Sequence, residues 1–177
     1  ETYDEIVTSL SGNTQHPMVS RPFLLTHLAR GILRYNISPS KFIKGMSDNK
    51  QGVPSIVAAF LEREVQDKWK AKETGEPYLS IKQHMELLST VAEEMWENQR
   101  DRLGVDVIET IAALLLDGWR IAEERKPQVL SMVKMHAMLT VPTEGGENMR
   151  SFDHPEFRDY FVAYALAQHC QNSLAAG

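Results

Sequence analysis

Cysteine is nearly absent from this sequence, and long apolar runs are missing. The only cysteine among the 177 residues is Cys170, so an internal disulfide and a zinc site of several thiolates are both excluded. No apolar run approaches the ~18 residues that a membrane span needs. No signal peptide is recognisable at Glu1, where the chain opens in a polar, acidic segment without methionine. We therefore expect a cytoplasmic location and a piece of a longer protein.

Positive charge is also scarce. The sequence has 19 lysines and arginines against 24 aspartates and glutamates, which gives a formal net charge of -5. General nucleic-acid binders normally carry a basic face, so this balance argues against that class. With 42% hydrophobic and 24% charged residues, the composition excludes disorder and allows one sizeable core or two small subdomains.

The familiar motifs of catalysis are missing too. The sequence contains no Gly-x-x-x-x-Gly-Lys-Ser/Thr phosphate loop, no Gly-x-Gly-x-x-Gly fingerprint, no Gly-x-Ser-x-Gly elbow and no His-Glu-x-x-His metal motif. The chain alone is therefore predicted to be non-catalytic and to bind no metal. Five histidines without ligand spacing are expected at the surface or half-buried on helices: His16, His27, His84, His136 and His169. The three tryptophans are expected in the core: Trp69, Trp96 and Trp119.

Apolar residues recur at helical spacing through most of the chain. Helix starts are predicted at six places: residues 20–22, 52–54, 80, 105, 127 and 155. The helix after residue 53 should bury an apolar side that ends at Trp69 and expose a charged side that includes Glu64. Residues 138–142 and 149–152 are strand-like and flank a turn rich in Gly and Asn.

This order predicts a mainly α fold, with a helical bundle followed by a winged-helix subdomain that has a two-stranded wing. Residues 1–19 are expected to form a connecting helix and loop. Residues 20–102 are expected to form the helical domain, and residues 103–177 the winged-helix domain. The boundary is placed at a charged, glycine-containing join near residues 100–104.

His154 is the histidine whose neighbours point to chemistry. It directly precedes Pro155, which opens the last predicted helix. Backbone N–H groups and the helix dipole converge at such a start and favour an anion such as phosphate. The alternative is that His154 and Asp153 merely cap the helix, as polar residues often do.

The segment around His154 has a distinctive spacing of aromatic residues: Phe152, His154, Phe157, Asp159, Tyr160, Phe161 and Ala163. It resembles the winged-helix motif of NACHT-type STAND ATPases, the signalling ATPases that include NOD-like receptors and bacterial antiviral sensors. The family usually has glutamate where this chain has Asp159. Residues 21–25 resemble the proline-containing start of the family's first helical domain, and residues 53–68 resemble the amphipathic helix that follows.

The resemblance implies the C-terminal regulatory half of a nucleotide-binding switch. An upstream P-loop domain would bind ATP or ADP with Mg, and the intact protein would be an ATPase. The proline matching Pro22 would pack against the adenine, and the histidine matching His154 would contact the β-phosphate of ADP. Nucleotide exchange would release the winged helix, and the opened protomers would self-associate to activate an attached effector. For Pro22, the alternative is an ordinary helix start.

Two other functions remain open at this point. A winged helix can bind DNA through a recognition helix, although the helix predicted before the wing, residues 127–137, is credited with only Lys126 and Lys134 as positive charges, which is thin for phosphate neutralisation. The chain can also be a purely structural helical adaptor, in which His154 only caps a helix.

Overall fold

A computed structural model of the chain describes residues 52–144 and 146–176. By packing, the chain divides into two units, residues 1–59 and 60–177, and the second contains nearly all of the described residues. The elements of the described residues are helices α1 (Gly52–Arg63), α2 (Ile81–Glu97), α3 (Val105–Gly118), α4 (Lys126–Val133) and α5 (Pro155–Ala176), and strands β1 (Arg102–Gly104), β2 (Leu139–Thr140) and β3 (Met149–Phe152). The predicted connecting segment 1–19 and the predicted helix start at residues 20–22 lie outside them.

Helix α1 continues into a π-helical turn, Glu64–Lys68. The backbone N–H of Trp69 donates to the carbonyl of Glu64, five residues earlier, at 2.8 Å. This wider turn holds one more residue than an α-turn and changes the direction of the side chains. Glu64 itself follows the buried Val57 by seven residues and the buried Leu61 by three, which places it on their face of the helix. It is 0% exposed, and the prediction that it lies on the solvated face is wrong.

Helix α2 begins where the sequence predicts. The Ser80 hydroxyl accepts from the Gln83 backbone N–H at 3.3 Å, and the Gln83 side chain accepts from the Ser80 N–H at 2.8 Å. This reciprocal capping satisfies two donors that a helix start otherwise leaves unbonded. The buried side of α2 includes Leu88, Val91 and Met95, and its most extensive helix contact is with α5.

The strands form one antiparallel sheet in the order β1-β3-β2. Leu139 pairs with Phe152 in β2 and β3, while Leu103 pairs with Arg150 in β1 and β3. The described residues are therefore mainly helical with a small antiparallel sheet, as predicted, and both predicted strands are present. Strand β1 was not predicted, and it lies where the sequence suggested a domain join. Leu103 is buried there, and α2 and β1 belong to the same unit as the later elements.

Aromatic packing fixes α5 against the rest of this unit. Phe152, the last residue of β3, stacks on Phe161 with ring centroids 5.6 Å apart. One turn earlier on α5, Phe157 meets Phe60 edge-on at 5.9 Å. These contacts position the start of α5 and the residues just before it. Within residues 52–144 and 146–176, no helix has the length and apolar character that crossing a membrane requires.

Candidate functional site

The junction between β3 and α5 carries His154, the described residue that the sequence singles out. The Asp153 backbone N–H donates to the Met138 carbonyl at 3.0 Å, which ties the junction to the chain just before β2. The His154 carbonyl accepts from the Phe157 N–H at 3.1 Å and so closes the first turn of α5. His154 is therefore held at the amino end of a 22-residue helix, where the helix dipole is positive.

The His154 side chain is largely buried at this junction, with 15% of it exposed. Its Nε2 atom is buried and lies 3.8 Å from Oδ2 of Asp153, and its ring meets Phe157 edge-on at 5.4 Å. A phosphate contact through Nε2 therefore requires the ring to turn outward. The second predicted site residue, Pro22, lies outside the described residues.

Some of the other residues of the motif are buried and others are exposed. Phe157 and Phe161 are buried, whereas Asp159 is exposed and pairs with the neighbouring Arg158 at 2.9 Å. Burial raises the pKa of Tyr160, and the nearby Tyr164 adds to that effect. The aromatic residues of the motif thus hold α5 in place. Among the residues of the motif, His154 is the titratable one that lies at the start of this helix.

The structure contains a buried polar cluster, centred on two histidines, that the sequence did not predict. His84 and His136 are both 0% exposed, so the prediction of surface or half-buried positions is wrong for these two. The Met138 backbone N–H donates to Nδ1 of His136 at 3.1 Å, so the proton of a neutral His136 is on Nε2. That N–H points to Nδ1 of His84, 3.2 Å away, and the proton of His84 is therefore on its own Nε2. His84 shares one face of α2 with Leu88, Val91 and Met95, and this spacing is the signal that could have located it.

Burial keeps the histidine pair neutral. Desolvation and, to a smaller extent, His136 lower the pKa of His84 to about 3, while Glu64 opposes the shift. Desolvation also lowers the pKa of His136 to about 3, with a smaller effect from Lys68. Trp69 packs against both rings, with centroid distances of 4.7 Å to His84 and 5.7 Å to His136.

Glu64 completes this cluster. Its Oε2 accepts from the Trp69 indole Nε1–H at 2.9 Å, and its Oε1 lies 3.0 Å from Lys68 Nζ. The cluster thus connects the π-helical turn, α2 and the segment before β2. Among the described residues, no group of three or more His, Cys, Asp or Glu side chains could hold a metal ion.

The positive charges around α4 are engaged with carboxylates. Arg125 pairs with Glu76 at 3.2 Å, and Lys134 lies 3.7 Å from Glu109. Lys126 contacts the carboxylates of both Asp117 and Glu123. The helix that would enter a DNA groove is thus surrounded by acidic groups that would meet the phosphates with like charge.

Comparison with known proteins identifies no relative. No family model matches the sequence, and no curated protein or solved structure matches it either.

Proposed function

We propose that this chain is the C-terminal regulatory half of a STAND/NACHT-type nucleotide-binding switch. In this proposal, α3 and α4, the β2–β3 hairpin and the start of α5 form its winged-helix subdomain. The observation that carries the proposal is the element order: a helix pair, a hairpin as the wing, and then a helix whose first turn follows His154. Strand β1 pairs with the other edge of β3, so the sheet has three strands where a two-stranded wing was predicted.

His154 is the proposed sensor of the nucleotide. An upstream P-loop domain would bind ATP or ADP with Mg, and Pro22 would pack against the adenine. The amino end of α5 suits a phosphate because the helix dipole is positive there, although Glu156 in the first turn offsets part of it. With its ring turned outward, His154 can donate a hydrogen bond to a phosphate oxygen.

Such a contact shifts the equilibrium toward the closed, ADP-bound form but is too weak to hold that form by itself. A charge-assisted hydrogen bond contributes roughly 1.5–3 kcal/mol net, which shifts a two-state equilibrium about 10- to 150-fold. Loss of the contact on nucleotide exchange would favour an open form that self-associates and signals. Packing between domains must supply the rest of the free-energy difference.

DNA binding receives less support. A winged helix that grips DNA normally offers several lysines or arginines to the phosphates. Here the cations at α4 already pair with Glu76, Glu109, Asp117 and Glu123. The chain's net charge of -5 adds to the repulsion.

The test is His154→Ala in the full-length protein. We expect roughly tenfold weaker ADP retention, the lower end of what one such hydrogen bond supports, together with a larger active oligomer fraction. Nucleotide release and size distribution are the measurements. His169→Ala is the matched control, because His169 is an exposed histidine on the same helix, paired with Glu93. Equal ADP retention in both variants and the unaltered protein would contradict the nucleotide role.

A further inference from the structure

The second half of α5 has an apolar face on the side opposite to its packed face. The packed face consists of four buried side chains: Phe157, Phe161, Val162 and Ala165. At about 100° per residue, the opposite side presents five exposed residues that are apolar or small: Ala163, Leu166, Ala167, Cys170 and Leu174. Leu166 is 55% exposed and Leu174 is 83% exposed. A helix that is apolar on opposite sides is normally covered on both.

Exposed apolar side chains on other helices have charged neighbours. Trp96 at the end of α2 is 60% exposed, so the core position predicted for the three tryptophans is wrong for it, and Glu97 follows it directly. Leu114 on α3 is 68% exposed and lies three residues before the exposed Asp117. Single exposed apolar residues of this kind are common on protein surfaces. The face of α5 differs because its exposed residues form a continuous stripe.

The absence of charge around this stripe indicates what covers it. The sequence has no Asp, Glu, Lys or Arg from Tyr160 to Gly177, although these four types make up 24% of the chain. Two copies with a net charge of -5 each repel one another over most of their surface, and a two-fold contact brings identical patches together. An uncharged face lets two copies meet without like charges in contact. The titratable His169 beside it already contacts Glu93 at 2.7 Å, so a charged partner finds little to bind.

We infer that two copies of this chain pair through this face of α5, with the two helices antiparallel and Cys170 on the two-fold axis. Leu166 and Leu174 lie four residues before and after Cys170. In an antiparallel pair, Leu166 of each copy therefore meets Leu174 of the other, which is the self-complementarity that a two-fold contact requires. A parallel pair would place the exposed Glu156 and Asp159 against their own counterparts, and like charges so placed repel.

The size of the face sets the strength of the pairing. From Ala163 to Leu174 the helix is about 18 Å long at about 1.5 Å per residue. Each copy thus contributes far fewer than the ~20–30 residues of a standard interface, which is typical of a weak, reversible contact. We expect dimers at concentrations of about 0.1–1 mM. The inference uses neither His154 nor a nucleotide, so its failure would leave the nucleotide switch untouched.

The first experiment is sedimentation equilibrium of the reduced full chain from about 10 μM to about 1 mM. The mass should rise from monomer toward dimer over this range. Leu174→Glu should weaken the association at least tenfold, because the two-fold contact includes the substituted residue twice and brings the charge against an apolar side chain. Leu114→Glu makes the same change at an exposed leucine outside the face and should leave the association unaltered. A monomer at every concentration, or equal weakening by the two substitutions, would overturn the inference.

The second experiment tests the antiparallel register through Cys170, the sole cysteine of the chain. A disulfide needs two Cα atoms within about 7 Å, so mild oxidation by copper–phenanthroline should link two copies at Cys170. In an Ala163→Cys, Cys170→Ala variant, the two cysteines of an antiparallel pair are about 20 Å apart and should link at least tenfold more slowly. Equal linking rates at the two positions would overturn the antiparallel pairing.

Discussion

Glu64 shows how one residue can depart from the pattern around it. It lies in a charged stretch of the sequence, yet it follows Val57 by seven residues and Leu61 by three, so it shares their buried face and its carboxylate is in the interior. There it receives the Trp69 indole N–H and faces Lys68. A buried carboxylate is tolerated only with such partners, because an unpaired one is very costly to desolvate.

We predict that Glu64→Ala destabilises the fold by about 2–3 kcal/mol, chiefly because the buried indole N–H of Trp69 loses its acceptor. Lys68 adds little to this effect, since its exposed ammonium group can be hydrated. The free energy of unfolding in urea is the measurement. Glu62→Ala is the control, because Glu62 is exposed on the same helix. A Glu64→Ala variant as stable as Glu62→Ala would contradict the role of the buried carboxylate.

At the scale of elements, two helices end in the same way, each without glycine at the left-handed position. Beyond α2, Gln99 has a φ of 52°, its N–H donates to the Trp96 carbonyl, and the Arg100 N–H donates to the Met95 carbonyl. Beyond α3, Arg120 has a φ of 56°, with equivalent bonds from its own N–H and from that of Ile121. Both are Schellman endings, in which glycine is the usual residue at the left-handed position. The sequence thus signals these helix starts more clearly than their ends.

Replacement of Gln99 by glycine should therefore stabilise the chain. Glycine relieves the left-handed strain but adds freedom to the unfolded state, so we expect a net gain of about 0.5–1 kcal/mol. Thermal unfolding of the variant is the measurement. Gln99→Ala keeps the Cβ atom and should give no such gain. If the alanine variant is stabilised as much as the glycine variant, backbone strain is not the cause.

At the scale of the whole described unit, the histidine pair joins segments that are far apart in sequence. His84 lies on α2 and His136 lies 52 residues later, just before β2. Glu64 and Lys68 of the π-helical turn and Trp69 surround the pair. The stability of the fold is thereby linked to the protonation of two buried imidazoles.

We predict that stability falls as the pH drops below 6.5. The folded-state pKa of each histidine is about 3, below the ordinary 6.5, so the unfolded chain binds more protons between these values. By pH 5, each histidine should remove about 2 kcal/mol of the stability present at pH 8. Unfolding in urea at both pH values measures this loss. His84→Gln should weaken the pH dependence, whereas His169→Ala, at an exposed residue, should not. A stability that is the same at both pH values would contradict the linkage.

Signals from neighbouring residues predict the helix starts, but they predict only part of the candidate site. Ser80 with Gln83, and Pro155 before an aromatic stripe, identify helix starts because capping and proline chemistry act within a few residues. Strand β1 could not be predicted, since a segment of three residues is too short to show an alternation and becomes a strand only because it pairs with β3. The position of His154 before α5 was predictable, but the burial of its ring against Phe157 depends on packing.

The sequence by itself determined that the chain is mainly helical, where its β2–β3 strand pair lies and that His154 precedes the last helix. These features are predictable because propensity, capping and periodicity are properties of neighbouring residues. The tertiary structure decided that His136 is buried just before β2 and that Trp96 faces solvent. The reason is geometric. A rotation of about 100° per residue tells which residues share a side of a helix, as it does for His84. Which side another element covers depends on parts of the chain that are distant in sequence.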